Sequence, residues 1–145
     1  MFLIDQINSH EALYLDRLFE ERDLELCVVV DEAKLPGGLE TTAGVTAHAP
    51  ILSDATCNRY KITFKNYVAY CVTNESCAGI GNDEEFAGHL VRTYSRSAFL
   101  DYVAATAGGI IESLGPYAHY EIVALNQIID VVTILPPEIE LVGKQ

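Results

Sequence analysis

The segment Arg59–Lys65 limits the possible folds of this chain more than any other. Its sequence, RYKITFK, alternates polar with apolar side chains. Because successive side chains of a β-strand point to opposite faces, this alternation predicts a strand with one buried face and one hydrated, basic face. Residues 67–72 follow a turn near Asn66 and are apolar on both faces, which predicts a second strand in the interior of a sheet.

Four further segments are predicted to be strands, because they are rich in β-branched and other apolar residues and lie between turn signals. They cover residues 24–30, 89–94, 120–125 and 128–135. A chain of 145 residues has the usual length of one domain. We therefore expect a single α+β domain over residues 1–145, mostly antiparallel β-sheet with one or two helices packed on one face.

One helix is predicted after the strand at residues 89–94. Ser95 or Ser97 is a suitable N-cap for it. Asp101 then lies near the positive end of the helix dipole, and Gly108 is a typical helix end. The apolar stripe that would lie on the sheet consists of Phe99, Leu100, Val103 and Ala107.

The opening segment is compatible with two structures. Asn8 and Glu11 resemble a capping box, so we favour a helix over residues 9–21. Its apolar residues recur at helical spacing, at Ala12, Leu15, Leu18 and Phe19. The alternative is a β-hairpin in which residues 12–19 pair with residues 24–30. Its weakness is a charged turn without the Gly, Pro or Asn that tight hairpins favour.

Loops and cysteines complete the description of the chain. Residues 35–55 are rich in Pro, Gly and small side chains, which predicts a loop with one short strand around Val45. The cysteines form no Cys-x-x-Cys pair, so we expect free thiols. Cys27 and Cys71 lie in strand-like runs, where a thiol behaves as a small buried hydrophobic group.

Net charge is the strongest compositional signal. The chain carries 21 acidic residues against nine Lys and Arg, for a formal charge of −12. Direct binding of nucleic acid is disfavoured, because several phosphates must be neutralised and the basic cluster holds only Arg59, Lys61 and Lys65. A basic protein partner is favoured, because complementary fields speed association. Candidate partner contacts are Asp83, Glu84 and Glu85, with Asp31, Glu32 and Glu40 as a second group.

The same acidity is also explained by solubility alone. No apolar stretch approaches the roughly 20 residues of a membrane-spanning helix. Residues 1–4 lack the basic and apolar regions of a secretory signal. We therefore expect a cytoplasmic protein that does not bind membranes.

No motif for catalysis or metal binding is complete. His10 and Glu11 begin like a zinc-binding helix motif, but Tyr14 stands where the second His is required. His119 and Glu121 resemble the first half of a deaminase signature, but the Cys pair that supplies its other ligands does not follow. The sequence therefore predicts no catalytic residue, no metal site and no cofactor.

A second hypothesis is a small ligand-binding domain or enzyme. Its cleft would combine a titratable His with an anion-binding Arg on neighbouring strands. The proposed lining residues are His89, Arg92, Arg96 and His119. Polar residues that accompany them are Tyr94, Glu121, Asn126 and Asp130. Ordinary surface polarity explains the same residues, because most polar strand positions face water.

Three segments occur in order along the second half of the chain. They are YKITFKNYVAYCVTNES (residues 60–76), YSRSAFLDYV (residues 94–103) and GPYAHYEIVALNQIIDVV (residues 115–132). Over about residues 57–138 the chain thereby resembles a group of small bacterial proteins of unassigned function. The resemblance implies a bacterial origin and no particular mechanism.

Charge, size and the lack of a complete catalytic motif favour an acidic protein-binding module. Its most specific form is the immunity partner of a basic bacterial toxin, in which an acidic antidote masks an active site that holds nucleic acid. A third class is a structural subunit whose unpaired strand edge forms a homodimer.

Overall fold

The computed structural model describes residues 2–35 and 56–143. The predicted contact at Glu40 and the predicted strand around Val45 lie outside the described residues. Nine strands and three α-helices are present in the two described ranges. In chain order they are α1 (Leu3–Asn8), β1 (Ala12–Arg22), β2 (Glu25–Ala33), β3 (Arg59–Lys65), β4 (Tyr67–Asn74), β5 (Glu85–Ala87), β6 (Val91–Arg96), α2 (Ala98–Ala107), α3 (Gly109–Leu114), β7 (Ala118–Val123), β8 (Gln127–Thr133) and β9 (Glu138–Val142).

The strands form two antiparallel sheets. Their orders are β1-β2-β3-β9 and β4-β8-β7-β6-β5. The inner faces of the two sheets share one apolar core, which includes Tyr60 and Phe64 of the first sheet and Ile122 and Ile129 of the second. The helices α2 and α3 pack on the outer face of the second sheet. The predicted α+β class, with antiparallel strands and helices on one face, is confirmed.

The opening segment is a strand, so the helix favoured over residues 9–21 is wrong. Only Leu3–Asn8 is helical there, and β1 pairs with β2 as in the alternative hairpin. The turn between β1 and β2 places Leu24 at a φ of 61°. A left-handed residue therefore takes the role that Gly or Asn has in most tight hairpins.

A β-bulge explains why the pattern of β1 resembles a helix. The pairing of β1 with β2 shifts its register between Leu15 and Arg17. Leu13 and Leu15 face the core two positions apart, whereas the next core-facing residue, Leu18, follows after three. An inserted residue thus produces an interval of three within a strand, and this interval imitates the helical repeat.

The position of β4 also differs from the prediction. β4 is an edge strand of the second sheet, and β3 lies in the interior of the first. Tyr70 of β4 contacts the core between the sheets, and Ala69 packs on its other side against the helical cluster. Both faces of β4 are therefore apolar because one meets the core between the sheets and the other meets the helices. They are not apolar because β4 lies between two strands. Cys71 is exposed and not buried as predicted, whereas Cys27 is buried.

The turn between β7 and β8 joins the two sheets. The Asn126 side chain accepts the backbone N–H of Leu15 and donates to its carbonyl, each at 3.0 Å. The N–H of Leu125 donates to the carbonyl of Leu13 at 2.8 Å. These bonds satisfy backbone groups of β1 beside its bulge and cover part of its free edge.

Replacing Leu24 by Asn is expected to raise the free energy of unfolding by up to about 1 kcal/mol. A left-handed conformation costs an ordinary residue about 1–2 kcal/mol, and Asn tolerates it better. Little burial is lost, because Leu24 is 49% exposed. Urea unfolding measures the change. Leu24→Ala is the control, since it keeps the strain and should not stabilise; equal stability of Leu24→Asn and the wild type would contradict the expectation.

Candidate functional site

Internal partners hold two members of the second group of predicted acidic contacts, Asp31 and Glu32. Asp31 is nearly buried, and its carboxylate accepts two hydrogen bonds from Arg59, at 2.7 and 3.0 Å. Glu32 accepts the backbone N–H of Asn58 at 2.9 Å, and its other oxygen lies 3.3 Å from Nδ1 of His10. Both carboxylates therefore stabilise the first sheet and its connection to β3.

The first group of predicted contacts lies just before β5 and at its first residue, close in space to the start of α2. Glu84 accepts the backbone N–H of Gly81 at 2.7 Å and that of Ala98, the first residue of α2, at 3.2 Å. Its charge stabilises the helix N-terminus. Glu85 lies 3.8 Å from Arg96. Asp83 and Glu85 are both exposed, and Asp83 has no charged partner among the described residues.

The cleft predicted from the sequence is present in part. Arg92 and His119 lie on adjacent strands, and Glu121 stands between them. His89 is exposed, and its backbone N–H donates to Asn8. Arg96 pairs with Glu85 and not with the residues of the cleft. The side chain of Asn126 is hydrogen-bonded to β1. The structure therefore brings together Arg92, Tyr94, His119, Glu121 and Asp130, and it leaves out His89, Arg96 and Asn126.

Strand pairing places this cluster on the outer face of the second sheet. Ile122 of β7 faces the core, so its neighbour Glu121 faces outward. Glu121 lies opposite Arg92 of β6 on one side and opposite Asp130 of β8 on the other. A row of two carboxylates and one guanidinium therefore crosses three strands.

His119 is the buried centre of the cluster, with an exposed fraction of 2%. Its Nε2 lies 2.7 Å from Oδ1 of Asp130, and its Nδ1 lies 2.7 Å from Oγ of Ser97. The imidazole stacks on the Tyr94 ring, with centroids 4.5 Å apart, and meets Phe99 edge-on. Hydrogen bonds at both nitrogens and two aromatic contacts thus hold the imidazole in one orientation.

Ser97 does not have the position of a hydrolytic nucleophile. Its hydroxyl oxygen accepts the N–H of Leu100 at 3.0 Å, which caps α2, and it also bonds the imidazole. Its side chain is buried as well. Ser97 is therefore a positioning residue that connects the start of α2 to His119. The predicted cap at Ser95 or Ser97 is confirmed at Ser97.

Glu121 is a carboxyl group whose surroundings favour its neutral form. Burial and the neighbouring Asp130 raise the pKa of Glu121 to about 8. Tyr94 donates its hydroxyl to Oε1 of Glu121 at 3.0 Å, and Arg92 approaches the same oxygen at 3.3 Å. Burial also raises the pKa of Tyr94 to about 12. At neutral pH Glu121 therefore holds a proton, which it donates in a hydrogen bond to Asp130.

A small recess adjoins the cluster. It has a volume of about 150 Å³ and is lined by Arg92, Glu121 and Ile128 of the sheet and by residues of the segment after β4, including Ile80. This space is large enough for a few water molecules or a small anion and too small for most metabolites. The cluster thus has an opening to solvent on the side of Arg92.

The helices α2 and α3 form a second candidate surface. Large apolar side chains are exposed on them: Tyr102 by 62%, Ile110 by 71% and Leu114 by 55%. Asp101 and Glu112 are exposed on the same helices. Residues 97–143 contain six acidic residues and no Lys or Arg. The start of α2 also borders a recess of about 410 Å³ whose charged lining residues are Asp83, Glu84, Arg96 and Asp101.

Comparison with known proteins gives no relative. No family model matches the chain, and no curated protein or solved structure matches it. The resemblance to small bacterial proteins stays a prediction. Among the described residues, α2 is the longest helix at ten residues, and no helix has the length and apolarity needed to cross a bilayer.

The contact between Glu121 and Asp130 is the feature that sequence reasoning missed. Both residues were noted as polar neighbours of a cleft, but their direct pairing depends on the register of two strands. One signal was present in the sequence. Asp130 is a single acid within the apolar run QIIDVVT, and a charge in such a run requires a partner when the strand is buried.

Replacing Glu121 by Gln is expected to change how stability depends on pH. The folded pKa of about 8 exceeds the usual 4.5, so the folded protein retains a proton that the unfolded chain releases. This contribution is complete below pH 4.5 and is lost as the pH rises through 8. The groups that face Glu121 are Arg92, Tyr94, His119 and Asp130.

Urea unfolding at several pH values, with a chelator present, measures the effect. The stability of the wild type relative to Glu121→Gln should fall by up to about 1.4 kcal/mol per pH unit between pH 5 and pH 8. Glu112→Gln, on the exposed side of α3, is the matched control and should follow the wild type. Parallel profiles for Glu121→Gln and the wild type would show that Glu121 is ionised at neutral pH.

Proposed function

We propose that this protein is an acidic protein-binding module that binds a basic protein through α2 and α3. The observation that carries the proposal is the separation of charge over the described surface. The helices expose acidic and large apolar side chains without a cation of their own, whereas the cations lie on the sheets. Exposed apolar groups beside uncompensated charge are typical of a surface that binds another protein.

The ion pairs that the cations form support this separation of charge. Six of the eight Lys and Arg residues that the structure describes each lie within 3.9 Å of a carboxylate: Arg17, Arg59, Lys61, Lys65, Arg92 and Arg96. Their charges are neutralised locally. Asp101 and Glu112 have no charged partner among the described residues, so their field extends into solvent and attracts a basic surface.

The apolar side chains define the partner further. Tyr102, Ile110 and Leu114 are more than half exposed, and Tyr is enriched among residues that dominate binding energy. A complementary partner presents apolar side chains flanked by Lys or Arg. Charge would then govern the rate of association, and apolar burial would govern the lifetime of the complex.

The proposed surface differs from the contacts expected from the sequence. Asp83 remains part of it, because it lines the recess at the start of α2. Glu84 and Glu85 lie close by but use their charges internally, and Asp31 and Glu32 belong to the first sheet. Glu40 stays a prediction. The proposed partner surface therefore lies on the helices and not on the acidic loops that the sequence predicts.

The most specific form of the proposal is an immunity protein that covers the basic active site of a bacterial toxin. It would act in the cytoplasm, where the toxin's nucleic-acid substrate lies. The bacterial origin and the location depend on the resemblance and on the sequence alone. The charge separation supports the broader function, a module for a basic protein partner.

The experiment uses a synthetic amphipathic helix of Leu and Lys as a basic apolar probe. Fluorescence anisotropy at low and high salt measures its binding, and amide chemical shifts map the contact. Asp101→Asn with Glu112→Gln should weaken binding roughly five-fold and reduce its salt dependence, since each exposed pair contributes about 0.5 kcal/mol. Ile110→Ser should weaken binding about ten-fold or more, because a buried Ile contributes about 1.5–3 kcal/mol.

The matched control neutralises two exposed acids of the first sheet, Asp23→Asn with Glu140→Gln. It removes the same net charge from another face and should leave affinity within two-fold, roughly the limit for surface charges. A Leu and Glu peptide should not bind. The proposal would be contradicted if the helical and the control variants lost equal affinity for the peptide. It would also be contradicted if the amide chemical shifts changed at residues outside α2 and α3.

A further inference from the structure

Three side chains of the second sheet present metal-binding atoms to a common point. Ligand atoms of His119, Glu121 and Asp130 all lie within 4.8 Å of one another. β7 supplies His119 and Glu121 two positions apart on one face, and β8 supplies Asp130 directly opposite Glu121. Paired strands hold these residues with little freedom, which is the preorganisation that a metal site requires.

We propose that His119, Glu121 and Asp130 bind one divalent transition-metal ion, and that Zn²⁺ is its preferred occupant. This site is independent of the protein-binding surface on α2 and α3. One imidazole and two carboxylates suit Zn²⁺, which accepts nitrogen and oxygen ligands and leaves a fourth position open in catalytic sites. The imidazole disfavours Mg²⁺ and Ca²⁺, which prefer oxygen ligands alone.

Ser97 allows the imidazole to change from a hydrogen-bonding to a metal-binding form. In the tautomer that carries its proton on Nε2, His119 donates to Asp130, and its Nδ1 accepts the Ser97 hydroxyl. With a metal on Nε2, the proton moves to Nδ1 and is donated to Oγ of Ser97. A hydroxyl serves both states because it is both donor and acceptor. An orienting contact of this kind is usual for metal-bound His.

The charge of the cluster also favours a cation. Arg92 approaches Glu121 at 3.3 Å, and it is the cation that contacts this carboxylate pair within the described part of the chain. Two carboxylates therefore share one guanidinium. A divalent ion between the two carboxylates would balance the charge of both when both are ionised. The recess beside Arg92 gives water or a small anion access to the ion.

A second group of three ligand-type residues serves as the internal comparison. Glu21, Glu25 and Cys27 also have ligand atoms within 4.8 Å of one another. Lys61 already binds Glu21 at 3.1 Å, and the Glu21 side chain is 53% exposed. A metal there would have to displace a paired lysine near bulk solvent. In the His119 cluster Arg92 contacts Glu121 at the longer distance of 3.3 Å, and among the described residues no Lys or Arg pairs with His119 or Asp130.

The experiment titrates Zn²⁺ alone into chelator-treated full-length protein by calorimetry. The wild-type and variant clusters are compared in a Cys71→Ser, Cys77→Ser background, which removes the exposed thiols, and the protein with all its cysteines is measured as a further reference. One equivalent of Zn²⁺ should bind. Glu121→Gln and Asp130→Asn should each lower the affinity by at least about ten-fold, and Ser97→Ala by roughly ten-fold. Glu21→Gln is the control and should leave the affinity unchanged.

A second readout identifies the ligand atoms. Co²⁺ in place of Zn²⁺ should give d–d bands without a thiolate charge-transfer band, because the proposed ligands are nitrogen and oxygen. The Gln and Asn replacements keep side-chain shape, and circular dichroism confirms that the variants are folded. The proposal is overturned if the wild type takes up no stoichiometric Zn²⁺, if Glu121→Gln binds as the wild type does, or if a thiolate band is present.

Discussion

The pairing of β7 with β8 is the constraint on which the rest of the structure depends. Ile122 and Ile129 lie opposite each other in the core between the sheets. A slip of β7 by one residue would bring Glu121 into that core and expose Ile122, and a slip of β8 would do the same with Asp130 and Ile129. The burial of apolar side chains therefore fixes a register that also places two carboxylates side by side on the outer face.

The helices α2 and α3 pack on this outer face of the second sheet. Val103 and Ile111 pack around Val132 of β8, and Ser97 joins the first turn of α2 to His119. One side chain thus caps a helix and orients an imidazole. The apolar side of α2 and α3 is used in this packing, which leaves their other side, with Tyr102 and Ile110, for a partner.

Much of the secondary structure follows from local pattern, because alternation and capping are properties of neighbouring residues. The strands β3, β6, β7 and β8 and the helix α2 lie within two residues of their predicted positions. The opening strand was predicted as a helix, because its bulge at Leu15 exists only when the partner strand is present. Asn126 holds that bulge from the other sheet, across a long stretch of sequence.

The sequence by itself determined an acidic, antiparallel α+β chain with a capped helix, since charge and periodicity need no partner. Tertiary structure decided which strands share a sheet, that β4 lies at an edge, and that Arg92 and His119 meet through Glu121 while His89 and Arg96 do not. The physical reason is that burial and strand register bring together residues distant in the chain, and local periodicity contains no information about that pairing.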